Sequence, residues 1–221
     1  MHTVETVFKA AVFVDAENQT ELDIANLLQS LAPLEVVEKH AYADWRNCRL
    51  TFNAQALDQH GFKLHHVPSG EVLGAQKDKA DQYMARAVRA LLRQHPEIKV
   101  VILVTGDHYF TSLVRELQRW GKQVYIAATP MSMSKELYAA AQNYIPLGRM
   151  AAWIRQLNKL EKRSRYLTFK YTVQKSKLSP DALQRLINCG VLQKHRDSGG
   201  SFREILVLNR QAHAVRVVLS A

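Results

Sequence analysis

The sequence has little of what several common protein classes require. Its 221 residues include only two cysteines, Cys48 and Cys189, which lie far apart and have no CxxC neighbour. Neither a disulfide framework nor a cysteine-based zinc site is therefore indicated. No stretch approaches the roughly 20 apolar residues of a membrane span, and the N-terminus lacks a signal-peptide cleavage pattern. We expect a cytoplasmic protein with reduced thiols.

Motifs of several enzyme classes are also missing. The nine glycines form neither GxGxxG nor GxxxxGK[ST], so dinucleotide and nucleoside-triphosphate sites lack their phosphate cradles. There is no GxSxG nucleophile elbow. A haloacid-dehalogenase-type phosphatase needs an aspartate two residues after its nucleophile, whereas Glu17 stands two residues after Asp15. These absences disfavour four familiar classes of α/β enzyme.

Positive charge is concentrated in the last third of the chain. Residues 1–150 contain 16 Lys and Arg against 16 Asp and Glu, while residues 151–221 contain 14 against 4, which gives the whole net charge of +10. A neutral domain joined to a short basic one suggests that the basic part faces a polyanion. Nucleic acid is the first interpretation, and an anionic membrane surface is the lesser alternative.

Strand-like and helix-like segments alternate through residues 1–150. Short apolar runs predict strands at Lys9–Val14, Leu34–Tyr42, Phe62–Val67, Lys99–Val104 and Gln123–Ala128. Helical periodicity and caps predict helices at Leu22–Leu31, Leu50–His60, Lys79–Gln94, Thr111–Trp120 and Ser134–Gln142. Apolar strands that alternate with helices predict an α/β domain of three layers, with a mostly parallel sheet covered by helices on both faces.

The pattern changes in residues 151–221. A helix MAAWIRQLNKLEKR is followed by LTFKYTV, a helix SPDALQRLINCGV and two strand-like runs around Gly199 and Gly200. Ser179 is placed to cap the second helix, and Pro180 occupies its first position. Helix, turn, helix and a Gly-Gly hairpin predict a small winged-helix-like α+β domain that binds nucleic acid.

Three aspartates are predicted to meet at one edge of the sheet. Asp15 ends the first strand and Asp107 follows Lys99–Val104, and the carboxyl ends of parallel strands form the edge where ligands bind. Asp81 lies on the face of its helix that is predicted to pack against the sheet. A carboxylate there needs a partner to compensate its charge. Mg²⁺ or Mn²⁺ takes such oxygen ligands and activates water for attack on phosphate. The alternative is that Asp81 and Asp107 each serve a helix N-terminus.

Five segments in order resemble the NYN domain, a branch of the PIN-like ribonuclease superfamily: FVDAEN, AYADW, KDKADQYM, LVTGDHYF and SKELYAAAQNYIPL. The resemblance covers about residues 8–148. It implies a PIN-like parallel sheet between helices, RNA as substrate, and hydrolysis with Mg²⁺ or Mn²⁺ bound by aspartates. The matching positions are Asp15, Asn18, Asp81 and Asp107. Asn18 would supply a neutral oxygen or orient the attacking water.

The sequence departs from the family pattern at three positions that are often acidic, where it has Tyr109, Ala87 and Asn143. Two functions from different classes follow. The first is a metal-dependent endoribonuclease whose basic C-terminal domain delivers RNA. The second is a non-catalytic regulator that binds RNA or DNA and keeps a degenerate site. Both functions are compatible with a homodimer.

Candidate nucleic-acid contacts fall into three groups. Trp45, Arg46 and Arg49 follow the second strand, where an aromatic beside guanidinium groups stacks a base and holds phosphate; a tucked Trp45 in a solvated loop is the alternative. Lys77 and Lys79 lie beside the acid site, to hold the phosphate or to neutralise the carboxylates. The third group is the basic set of the C-terminal domain: Lys175, Lys177, Arg185, Lys194, Arg196 and Arg203. The histidines lack metal-ligand spacing, and packing or surface roles are expected for His65 and His66.

Overall fold

The computed structural model describes residues 7–19, 24–68, 79–129, 132–141, 143–164, 166–196 and 204–220. Within these ranges, no helix combines the length and apolar character that crossing a membrane requires.

Six strands form one sheet in which every neighbouring pair is parallel. They are β1 (Lys9–Asp15), β2 (Glu35–Ala43), β3 (Lys63–His66), β4 (Val100–Val104), β5 (Gln123–Ala128) and β6 (Asn143–Pro146). Their order is β3-β2-β1-β4-β5-β6. The predicted parallel sheet is confirmed. The chain changes direction across the sheet between β1 and β4, and the carboxyl ends of these two strands form the crevice where ligands bind in such folds.

The two faces of the sheet carry separate apolar cores because side chains alternate along each strand. Ala11 and Phe13 point into one core, whereas Val12 and Val14 point into the other. All of these side chains are fully buried. A strand buried on both faces explains why the sequence shows continuous apolar runs.

Nine helices are described, and two short 3-10 turns (Cys48–Leu50 and His108–Phe110) precede the second and fourth. The helices are α1 (Ile24–Ser30), α2 (Thr51–Gln59), α3 (Lys79–Gln94), α4 (Thr111–Arg119), α5 (Lys135–Ala140), α6 (Met150–Arg163), α7 (Phe169–Ser176), α8 (Pro180–Asn188) and α9 (His213–Ser220). Leu27 of α1 and Leu57 of α2 enter the core on one face. Met84 of α3, Leu113 of α4 and Leu137 of α5 enter the other. The predicted three layers are confirmed.

The C-terminal part contains α6 to α9 and a hairpin of two antiparallel strands, β7 (Leu192–Arg196) and β8 (Glu204–Leu208). Thr168 caps α7 and Ser179 caps α8, with Pro180 at its first position as expected. The Leu206 N–H also donates to the Leu167 carbonyl at 2.6 Å, so an extended residue before α7 joins the hairpin. The winged-helix assignment stays a prediction, since its wing tip at Gly199 and Gly200 lies outside the described residues. The helix α9 was not anticipated.

The C-terminal elements share a core with the sheet. Leu157 of α6, Leu183 of α8 and Val215 of α9 belong to the same buried cluster as Phe13 and Leu137. Helix α9 packs on β6 and on α6. The division into residues 1–150 and 151–221 remains a prediction, but the two parts are joined by apolar packing as well as by the chain.

Candidate active site at the carboxyl edge of the sheet

Asp15 lies at the carboxyl end of β1, next to the end of β4. Its side chain is buried, with 6% of its surface exposed. One carboxylate oxygen accepts the Asn18 N–H at 3.2 Å, and the other accepts the Thr105 hydroxyl at 2.9 Å. Burial and, second, the neighbouring charge of Asp81 together raise the pKa of Asp15 to about 7, against the opposing effect of these hydrogen bonds. The edge therefore holds a carboxyl group that is poised between its two protonation states at neutral pH.

Asp81 reaches this edge from the first turn of α3. Met84, Ala85 and Val88 of the same helix are buried in the core beneath it, which fixes the helix over β1 and β2. Asp81 is half-buried, and its negative charge is the second cause of the raised pKa of Asp15. The structure thus brings together the two carboxylates that the sequence analysis placed there from a strand and a helix.

Asp107 follows β4 and is tied to Asp15 through Thr105. The Thr105 hydroxyl donates to Asp15 and accepts the Asp107 N–H at 3.2 Å. The Asp107 side chain caps the turn after it, since Oδ1 accepts the Tyr109 N–H at 2.9 Å, and it lies 3.0 Å from Nδ1 of the exposed His108. The capping alternative from the sequence analysis is therefore present in the structure, together with the placement of Asp107 at the active edge.

Asn18 holds the loop that contains Asp107. Its Oδ1 accepts the Gly106 N–H at 2.9 Å and the Gln19 side-chain amide at 2.6 Å. The same amide of Gln19, which is buried, donates to Ser132 at 2.9 Å. The Asn18 oxygen thus joins the loop after β1 to the TGD loop after β4 (Thr105–Asp107), a structural task that the sequence analysis had not assigned to it.

The positions that depart from the family acid pattern have other surroundings. Tyr109 and Ala87 are half-buried against the core, and Asn143 begins β6. The Tyr109 ring packs edge-on against Phe110, with ring centroids 5.6 Å apart. Among the residues that the structure describes, no three His, Cys, Asp or Glu side chains are grouped closely enough to hold a metal ion. The three-acid metal site at Asp15, Asp81 and Asp107 stays a prediction.

The loop after β2 takes the form of the tucked alternative for Trp45. Its indole N–H donates to the His65 carbonyl at 3.0 Å, and its backbone N–H donates to His66 at 3.3 Å. Arg46 forms a two-point salt bridge with the buried Asp44, at 2.9 and 2.7 Å. Arg49 is exposed. Contacts of Trp45, Arg46 and Arg49 with nucleic acid remain predictions.

The other predicted basic contacts are spread over the chain. Lys77 and Arg203 lie outside the described residues, and Lys79 begins α3. Lys175 and Lys177 are exposed at the end of α7, where Lys177 adopts a left-handed backbone with φ 56°. Arg185 is exposed on α8, Arg196 is exposed at the end of β7, and Lys194 pairs with Glu204 at 2.8 Å. The structure gives each described residue a position but does not test its role.

Sequence reasoning missed several residues at this edge. Thr105 is buried and connects two aspartates, and its only signal was its place in the TGD motif. Glu17 accepts the Asp44 N–H at 2.8 Å, which ties the loop after β1 to the loop after β2. Tyr83, two residues after Asp81, is 53% exposed, and its ring lies 6.2 Å from that of the buried Tyr42. An exposed aromatic beside an acidic edge is a feature that only the fold reveals.

His40 and His65 pack as the sequence analysis expected of histidines without ligand spacing. His40 lies between Phe13 and His65, with stacked rings at 5.4 and 5.1 Å, and its two nitrogens contact His65 and Glu38, each at 2.9 Å. Burial lowers the pKa of both histidines. Because the carboxylate of Glu38 accepts from Nε2 of His40, neutral His40 uses Nδ1 to accept from His65.

A parallel α/β domain with this strand order and with carboxylates at its switch point has the fold of the PIN-like class. The profile of the NYN domain matches residues 9–148, and the chain belongs to the NYN domain family, whose members are generally nucleases. A crystal structure of a protein of unknown function from Vibrio parahaemolyticus is similar, with 25% identity and a TM-score of 0.55, over 66% of this chain and 97% of that one. No curated protein matches the chain.

Proposed function

We propose that the protein is a metal-dependent endoribonuclease that cleaves RNA phosphodiester bonds at the edge formed by Asp15, Asp81 and Asp107. The observation that carries this proposal is the pairing of Asp15 with Asp81. A buried carboxylate beside a second one is costly unless a proton or a cation compensates the charge. The fold nevertheless keeps both at the crevice where sheets of this kind bind their ligands.

The chemical type of the donors, rather than their spacing, suits a hard divalent cation, because the described residues include no three such side chains grouped closely enough to hold one. All three aspartates offer carboxylate oxygens, which Mg²⁺ and Mn²⁺ prefer to nitrogen or sulfur. Asp15, Asp81 and Asp107 are the residues that would hold the ion, and it would supply charge stabilisation and an activated water for attack on phosphate. Its positive charge would also lower the pKa of Asp15 below the value of about 7 that burial and Asp81 give it.

The remaining polar residues orient the acids. The hydroxyl of Thr105 fixes one oxygen of Asp15 and, through the Asp107 N–H, the start of the next turn. Asn18 fixes Gly106 by accepting its N–H. These contacts hold the ends of β1 and β4 in one geometry before substrate arrives, which is the arrangement that favours catalysis by positioning.

RNA would be bound by surfaces on both sides of the edge. Tyr83 offers an exposed ring on which a base can stack, since every base has an apolar face that packs on an aromatic ring. The exposed cations of the C-terminal part, with Lys175, Lys177 and Arg196 among them, would neutralise backbone phosphates. Tyr83 would supply base stacking whichever of the two alternatives for Trp45 holds.

The test is cleavage of single-stranded RNA by the full chain, with and without chelator. We expect cleavage that depends on Mn²⁺ or Mg²⁺ and that is abolished by Asp15→Asn and by Asp81→Asn. The matched control is Asp58→Asn, which changes an exposed aspartate on α2 and should cleave as the wild type does. Undiminished cleavage in chelator, or full activity in both active-edge variants, would show that the proposal is wrong.

A non-catalytic nucleic-acid-binding regulator is the second candidate. It is favoured by the absence, among the described residues, of any group of three metal-ligating side chains. It is also favoured by Tyr109, Ala87 and Asn143 at positions that are often acidic in the family. The same experiment separates the two candidates: a regulator binds RNA or DNA with a steep salt dependence and cleaves neither, whatever metal is added.

A further inference from the structure

A cavity of about 210 Å³ lies between the start of α5 and the end of α8. It lies between the sheet domain, to which α5 belongs, and the basic C-terminal part, to which α8 belongs. The described residues that line it are Met133, Ser134, Lys135, Arg185, Asn188 and Cys189. Two of these six are cations and none is acidic, so the lining favours an anion.

The chemistry of the lining matches a phosphate group. The exposed Lys135 supplies a point charge, and Arg185 supplies a planar fork of donors that suits phosphate oxygens. The oxygen of the Asn188 side chain already accepts from Gln184 at 3.1 Å, which leaves its amide nitrogen to donate. Burial raises the pKa of the Cys189 thiol to about 11, so this wall adds no negative charge at neutral pH.

The wall of the cavity is in direct contact with the active edge. The Ser134 N–H donates to the Gly106 carbonyl at 2.8 Å, and Gly106 immediately precedes Asp107. A side chain at Gly106 would begin 2.1 Å from the Ser132 carbonyl oxygen, so the two loops lie against each other without space between them. The cavity that Lys135 and Arg185 line therefore adjoins the loop that carries Asp107.

We propose that this cavity is a subsite for a backbone phosphate of single-stranded RNA, next to the scissile phosphate. The inference rests on the proposed function, since it names the path of the same substrate. It implies that one RNA strand touches both parts of the chain, with Lys135 contributed by the sheet domain and Arg185 by the C-terminal part. The C-terminal part then helps to define the site rather than acting as a separate tether.

The test measures binding of a labelled single-stranded RNA oligonucleotide to the full chain in chelator, as a function of salt concentration. We expect Lys135→Gln and Arg185→Gln each to lower the slope of log affinity against log salt by about 0.7, which corresponds to the loss of one phosphate contact with a single strand. Because both cations would hold the same phosphate, the double variant should lose less than the sum of the two. Arg185→Lys should keep the slope because it keeps the charge.

The matched controls are Arg115→Gln and Arg119→Gln, both exposed cations on α4 of the sheet domain that do not line the cavity. Wild-type slopes in Lys135→Gln and Arg185→Gln, or equal losses in the controls, would overturn the subsite. If Arg185→Gln melts earlier than the wild type, Lys135→Gln decides alone. Since binding is measured without cleavage, a protein that cleaves no RNA but shows the expected slopes would refute the nuclease and keep the subsite.

Discussion

At the scale of single residues, the carboxyl group of Asp15 makes the fold less stable as pH rises. Its pKa is about 7 in the folded protein, first because of burial and next because of Asp81, against 3.8 for the free side chain. Between about pH 4 and pH 7 the folded state holds a proton that the unfolded state has released, so the free energy of unfolding falls with rising pH and stays low above pH 7. The loss is on the order of 4 kcal/mol.

We therefore expect Asp15→Asn to raise the melting temperature clearly at pH 8 in chelator and by much less at pH 5. Asparagine removes the charge but keeps an oxygen that can accept from Thr105. Thermal denaturation at the two pH values measures the effect, and Asp58→Asn serves as the exposed control. A variant that melts below the wild type at pH 8 would mean that the ionised carboxylate is compensated in the folded protein.

The same measurement with added Mn²⁺ tests for the cation directly. An ion that binds only the folded state at Asp15 stabilises it by an amount that grows with the logarithm of the ion concentration above its Kd, so the wild type should gain melting temperature at pH 8. Asp15→Asn should gain much less. Equal gains in both proteins would place the bound ion elsewhere.

Tyr83 gives a prediction that separates stacking from catalysis. Tyr83→Ala should weaken RNA binding by about five- to a hundredfold, because stacking of a base on an aromatic ring is worth about 1–3 kcal/mol. Tyr83→Phe keeps the ring and should bind as the wild type does. Fluorescence anisotropy with single-stranded RNA in chelator measures the change. The control is Phe52→Ala, which removes an aromatic side chain that is 81% exposed on α2; an equal loss there would rule out a specific role for Tyr83.

At the scale of elements, the TGD loop depends on the absence of a side chain at Gly106. Since a Cβ there would lie 2.1 Å from the backbone oxygen of Ser132, Gly106→Ala must push the loop at 132–134 away or move Asp107. We expect a loss of about 1–3 kcal/mol in the free energy of unfolding, measured by urea denaturation, and a loss of cleavage. Gly121→Ala is the control for space, because nothing lies within 4 Å of a Cβ there. Its cost should come from its positive φ alone, and cleavage should be retained.

Five of the six strands and all five helices of the first 150 residues could be predicted because each is specified locally, whereas the short edge strand β6 was not predicted. β4 (Val100–Val104) is apolar throughout and buried on both faces, so its sequence has no polar residue that could suggest a different element. Gly121 follows α4 and has a positive φ, a conformation that is common just after helix ends and that favours glycine. The placement of Asp15 and Asp107 followed from topology, since both end parallel strands.

The contacts within the site could not be predicted, because they depend on pairs of residues that lie far apart in the chain. Thr105 bonds to Asp15 across 90 positions, and Arg46 pairs with the buried Asp44. The sequence left open whether Trp45 stacks a base or is tucked under its loop, and its indole N–H donates to the carbonyl of His65. Such hydrogen bonds form because buried donors and acceptors need partners in the folded protein.

At the scale of the whole molecule, the sheet and the C-terminal helices share one core. The RNA affinity of the basic part is therefore better tested by substitution than by truncation. A fragment that ends near Arg155 would cut α6 between Ile154 and Leu157, both of which are buried in the core that also contains Phe13. Truncation would therefore lower the stability of the sheet domain as well as remove positive charge. Substitution of exposed cations in the full chain removes the charge and keeps the packing.

The charge distribution predicts that the C-terminal part supplies most of the salt-dependent affinity for RNA. Residues 151–221 carry the whole net charge of +10, and each phosphate contact with a single strand contributes about 0.7 to the salt slope. We expect a variant with three exposed C-terminal cations replaced to lose about 2 from the slope, measured by titrating RNA at increasing salt. The replaced residues are Lys175, Lys177 and Arg196, each changed to Gln.

The control for this variant removes the same charge from the sheet domain. It changes Lys99, Arg115 and Arg119, which are exposed and lie away from the carboxyl edge, to Gln. Steering by overall charge would lower the rate of association and the affinity of both variants alike, whereas direct contacts lower the slope of the first variant only. Equal slopes in the two variants would contradict a C-terminal footprint and would assign RNA binding to net charge. A loss confined to the control would move the footprint to the sheet domain.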